Sequence, residues 1–246
     1  MADPWLTDPR IRATSRALTA AAAGLVVGGG LTILVGQLLR PIIAGLPTAL
    51  LIVITLVLTQ GIGFGGVALV YLSVRGLDRR FVPAAWPSIR DLVWILVGYV
   101  LALGGAFLGA TIIVLAGIPA ARNRLGELVV QQPELLLLLV PFSFLLIGPG
   151  EELLFRGIVQ GTLREAFGPV AGVTLASAIF AGVHYLALTG GTGARLTTVA
   201  ILFLPSLAFG AAYERTGNLA VPAVIHGAYN STLFLLVYVA LEFAPT

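Results

Sequence analysis

Seven windows of about 20 or more mostly apolar residues, separated by short polar joins, dominate this chain. A segment of that length reaches across the hydrocarbon core of a bilayer, where every backbone N–H and C=O must be bonded internally, so the form open to it is a helix. The windows run from Ala17 to Leu39, Thr48 to Val74, Leu92 to Ala116, Glu134 to Gln160, Pro169 to Leu188, Leu196 to Tyr213 and Leu219 to Phe243. Pro141 and Pro149-Gly150 interrupt the fourth and offer a break into two pieces. The expected fold is therefore all-α, a polytopic transmembrane helical bundle of about seven to eight spans. The first window follows Arg10, Arg12 and Arg16 in the manner of a signal peptide, yet its apolar run is too long for a typical signal core.

Composition agrees. Hydrophobic residues make up 58% of the chain and charged residues 10%, against roughly 25% charged in ordinary soluble domains, so no separate soluble domain is expected. The net charge of +3 comes from 14 arginines and no lysine, scattered singly or in pairs. A nucleic-acid binder would gather them into one patch or stripe, so no nucleic-acid partner is expected. Their distribution instead follows topology: nine fall in joins on the N-terminal side of the bundle and four on the other. Positive charge concentrates in cytoplasmic loops, which predicts a multi-pass protein of the cell membrane with residues 1–16 as a cytoplasmic N-terminal segment. The absence of cysteine excludes disulfides, thiolate metal sites and a cysteine nucleophile. Glycines are plentiful, with GLVVGGG in the first window and GIGFGG in the second, and in lipid such residues let helices pack closely.

Ionisable side chains at membrane depth are costly, and they mark functional positions. Three windows carry them. In GPGEELLFRG, Glu152 and Arg156 stand four apart and share a helix face, while Glu151 points about 100° away. Glu152 is thus free to neutralise Arg156, leaving Glu151 to act elsewhere; a structural ion cluster near a helix start is the plainer alternative. Phe180 and His184 are four apart on the fifth window, so the ring can wall one side of the imidazole. His226 and Asn230 repeat that spacing on the last, where an amide one turn from an imidazole suits an oxyanion site. A carboxylate and two imidazoles can bind Zn²⁺ or activate water directly, and Glu151, His184 and His226 fit either scheme. Ser143, Ser177, Ser206 and Ser231 lack a G-x-S-x-G context, no lysine exists for a Ser-Lys dyad, and H-E-x-x-H is absent.

These motifs, E-E-x-x-x-R at Glu151 to Arg156, F-x-x-x-H at Phe180 to His184 and H-x-x-x-N at His226 to Asn230, resemble in order those of the CPBP intramembrane proteases, the CAAX prenyl protease 2 or Rce1-like family of abortive-infection type. The flanking stretch from Tyr213 to His226 resembles the family too. The resemblance spans roughly Gly148 to Asn230 and divides the chain into N-terminal transmembrane helices (17–133) and a catalytic transmembrane core (134–246). It implies hydrolysis of a peptide bond within the membrane. Glu151 would activate water, His184 would assist or share a metal, Glu152 and Arg156 would hold the first motif, and His226 with Asn230 would stabilise the oxyanion or complete a metal site. Phe180 would lie beside the substrate. The implied partner is a membrane protein or lipidated peptide in the lipid bilayer, and the implied cofactor is Zn²⁺, with metal-independent water activation as the alternative. Competing readings are a transporter using the Glu, Arg and His groups as a proton pathway, a bis-imidazole haem protein, and a catalytically silent scaffold or immunity protein.

Overall fold

Asp8 opens the first helix: its carboxylate accepts a hydrogen bond from the Arg10 amide at 2.7 Å, and Pro9 occupies the first helical position, where its missing N–H costs nothing. The computed structural model describes residues 8–78 and 80–243. Seven of its helices are long and apolar enough to cross a membrane: α1 (Pro9–Leu38), α2 (Thr48–Val74), α3 (Ile89–Ala116), α4 (Leu135–Phe167), α5 (Pro169–Ala187), α6 (Thr192–Thr216) and α7 (Ala220–Glu242). The chain is a multi-pass membrane protein. The polar N-terminal segment expected to end at residue 16 is already helical from Pro9, and residues 1–7 lie outside the described residues. The only extended pairing among the described residues joins Arg122–Asn123 to Leu188–Thr189, antiparallel.

The break considered in the fourth window does not occur. Pro141 and Pro149 remain inside one continuous helix, because the wider π-type turns at Ser143–Ile147 and Leu153–Gln160 relax the backbone around them. Helix α4 is also the centre of the bundle. Half of its most apolar window (50%) is buried within the protein, against 17–33% in the other spans. One apolar cluster joins α1 and α2 to α4 and α5 through Ala17, Ala21, Phe64, Ala68, Leu154, Phe155 and Phe180. A second joins α3 to α6 and α7 through Ala102, Phe209, Ile225 and Tyr229. Both clusters cross the division drawn at residue 133.

Small residues set how closely α4 approaches its neighbours. A Cβ on Gly150 would lie 2.4 Å from the Gln60 carbonyl oxygen of α2, and one on Gly148 would lie 2.7 Å from the Ala223 carbonyl oxygen of α7. Gly63 and Gly28 bring α2 against α1 in the same way, since a Cβ on Gly63 would be 2.7 Å from Gly28 Cα. Backbone cannot yield as a flexible side chain does, so Gly150→Ala is expected to push α2 and α4 apart. We expect a loss of about 1–3 kcal/mol of stability, typical of overpacking, together with loss of activity. A lowered thermal midpoint in detergent checks the first effect.

The join between α6 and α7 is a latch. Gly217 ends α6 in the left-handed region (φ 60°), which glycine adopts without strain. Next to it the buried Asn218 accepts from the amides of Ala85 (3.0 Å) and Ala220 (3.2 Å), and donates to the Ala85 carbonyl (3.1 Å) and to Asp91 (3.3 Å). Asp91 and Ser88 form the capping box that starts α3. One amide therefore ties the α2–α3 join to the start of α7 and fixes the level of His226. Asn218→Ala removes all four bonds and is expected to cost about 2–3 kcal/mol, read as a lower unfolding midpoint.

Candidate active site

The clearances at Gly148 and Gly150 place the two acidic residues that follow them. Helix α4 lies so near α2 on one side and α7 on the other that Glu151 meets Gln60 and Glu152 meets His226. Gly227, whose added Cβ would sit 2.6 Å from Phe144, keeps α7 equally close at the imidazole.

Glu152 and Arg156 are fully buried, and the expected i,i+4 pair is present, with Arg156 Nε donating to Glu152 Oε2 at 2.9 Å. The rest of the guanidinium is also engaged. Nη2 donates to Ser206 Oγ at 2.8 Å and Nη1 to Ser177 Oγ at 3.4 Å, and its central carbon stands 5.2 Å from the Phe180 ring centre. Gly210 makes room for this approach, since a Cβ there would be 3.2 Å from Nη1. Arg156 thereby joins α4, α5 and α6. Sequence reasoning weighed Ser177 and Ser206 only as nucleophiles; the structure makes them acceptors for a buried cation.

The second oxygen of Glu152 faces His226, with Oε1 to Nδ1 at 2.8 Å. A carboxylate held as an anion by arginine can only accept, so Nδ1 carries a proton, and in the neutral ring Nε2 presents a lone pair. Nε2 stands 3.9 Å from Glu151 Oε2, which is buried and without a hydrogen-bond partner among the described residues. The other Glu151 oxygen accepts from Gln60 Nε2 at 2.9 Å. Gln60, outside every motif, was missed; its one sequence signal is an amide alone in the apolar run LVLTQGIGFGG.

Phe180 is the aromatic hub. Its ring stands 4.7 Å from the His184 ring and 5.8 Å from that of His226, so both imidazoles border one side chain. Phe209 stacks on His226 from α6 at 4.7 Å and holds the ring plane. His184, half-buried at the end of α5, contacts the Phe180 carbonyl oxygen through Nδ1 at 2.7 Å, which leaves its Nε2 unprotonated in the neutral ring. Asn230 is half-buried one turn beyond His226 and makes no side-chain hydrogen bond to the described residues.

Glu151, His184 and His226 were expected as ligands of Zn²⁺. Among the described residues, however, no group of three His, Cys, Asp or Glu side chains is placed to hold a metal ion. Glu152 already occupies Nδ1 of His226, and a bare pair of acceptors 3.9 Å apart falls short of the three protein ligands usual in catalytic zinc sites. The donor set as arranged does not fit the metal.

Residues 133–232 match the protein-family model of the type II CAAX prenyl endopeptidases, Rce1-like. No curated protein and no solved structure matches the chain significantly. The matched stretch contains Glu151, Glu152, Arg156, Phe180, His184, His226 and Asn230, with the Phe180 ring bordering both imidazoles and the Arg156 guanidinium, and over it the chain is similar to the Rce1-like family.

Proposed function

We propose that this protein is an intramembrane endopeptidase that hydrolyses a peptide bond of a membrane-associated or prenylated, CAAX-like substrate, using a water molecule held between Glu151 and His226. The observation that carries this reading is the 3.9 Å approach of Glu151 Oε2, buried and without a hydrogen-bond partner among the described residues, to His226 Nε2. With the His226 ring neutral both atoms are acceptors, and they repel unless a donor serves both. One water oxygen about 2.8 Å from each subtends roughly 90°, so its two O–H bonds can satisfy the pair while a lone pair is left for a substrate carbonyl.

Each remaining residue then has work to do. Glu151 takes a proton as the water oxygen attacks, and returns it to the departing amine nitrogen. Glu152 fixes the His226 tautomer so that Nε2 accepts, and Arg156 keeps Glu152 ionised and in place. His226 was expected to donate to the oxyanion with Asn230; with Nδ1–H committed to Glu152 it holds the water instead, and the Asn230 amide supplies the oxyanion donor. His184 acts as an auxiliary base beside Phe180. No step passes through a metal.

A transporter reading leaves the Glu152–His226 bond and the paired acceptors unexplained, whereas hydrolysis uses both. The purified protein should cleave farnesylated C-a-a-X peptides or members of a membrane-protein panel, and excess chelator should leave the rate unchanged. No cleavage of either set would remove the proposal, and a rate abolished by chelator and restored by Zn²⁺ would overturn its metal-free form.

A further inference from the structure

We infer that Gln60 is a positioning residue for Glu151, an assignment that rests on the hydrolase reading above. Its Nε2 donates to Glu151 Oε1 at 2.9 Å from a different span, far outside the residues the family model matches. Carboxylates at rest rotate about their terminal bond. With Oε1 taken by Gln60, Oε2 is left as the oxygen directed at His226 Nε2.

Two further features separate this contact from a simple cross-brace. The backbone is shaped to deliver it: Gln60 lies in the π-type stretch Val57–Gly66, a geometry frequent at functional sites, and Gly150 has no side chain where the Gln60 carbonyl passes. In addition, Gln60 Oε1 is buried without a partner among the described residues. A buried unsatisfied acceptor is destabilising, so a glutamine selected for stability would bond both ends of its amide. Gln60 bonds only the end that touches Glu151.

Gln60→Met keeps length and approximate volume and removes the donor. The expected result is a kcat about 10- to 100-fold below wild type, as for a misplaced reacting group, with KM within about twofold. Its thermal midpoint should stay within a few degrees of wild type, because the orphaned Gln60 oxygen goes together with the donor that Glu151 loses. A wild-type kcat, or a kcat that falls only in step with the thermal midpoint, would overturn the assignment. Should Gln60→Met fail to insert, Gln60→Leu is read by the same criteria. Wild type and Glu151→Gln run beside it separate the two claims: an inactive wild type sinks the hydrolase reading, whereas an active wild type, a dead Glu151→Gln and a fully active Gln60→Met sink the role of Gln60 alone.

Discussion

Arg156→Met should unfold at a markedly lower temperature than the wild-type protein. The guanidinium is fully buried and holds Glu152, Ser177, Ser206 and the face of Phe180 at once. Methionine fills much of the space and replaces none of the charge, so Glu152 is left as a buried anion whose remaining partner is His226. Removing one member of a buried pair costs about 3–5 kcal/mol, chiefly the penalty of the stranded charge. For a chain of this size that corresponds to a midpoint lower by roughly 10 °C in detergent. Adding Glu152→Leu should recover much of the loss, because it removes the stranded charge, yet it should leave the protein inactive, because His226 then lacks the acceptor that sets its tautomer. A single variant as stable as wild type would mean that the cluster does not carry the core.

Much of this arrangement was legible in the sequence because hydropathy is a local property. Thr48 to Val74 was placed with both ends as found, and Leu92 to Ala116 missed only the capped first turn from Ile89. The pairing of Glu152 with Arg156 followed from spacing alone. Features that depend on how helices meet were not legible. The π-type turns that carry α4 past Pro141 and Pro149 leave no local signature. The glycines pointed to close packing in general, but that Gly150 lies over the Gln60 carbonyl is a fact about two spans 90 residues apart. Gln60, Ser177 and Ser206 escaped for the same reason: a polar side chain in an apolar run signals a buried partner without saying which. The role proposed for His226 also depended on tertiary contact, since only the Glu152 oxygen at Nδ1 distinguishes the two ring nitrogens.

The most direct test of the account is peptide cleavage by Glu151→Gln. The amide keeps the volume of the carboxylate and can still accept from Gln60, so packing around α2 and α4 is preserved; what is lost is the ability to take a proton from water. General-base catalysis contributes about 10²- to 10⁴-fold, and here no other carboxylate is free, because both oxygens of Glu152 are committed to Arg156 and His226. Measured on a cleavable peptide at saturating concentration, with the thermal midpoint taken on the same preparation, kcat should fall by at least about 10²-fold while the midpoint stays within a few degrees of wild type. Wild-type kcat in a folded Glu151→Gln protein would contradict the account.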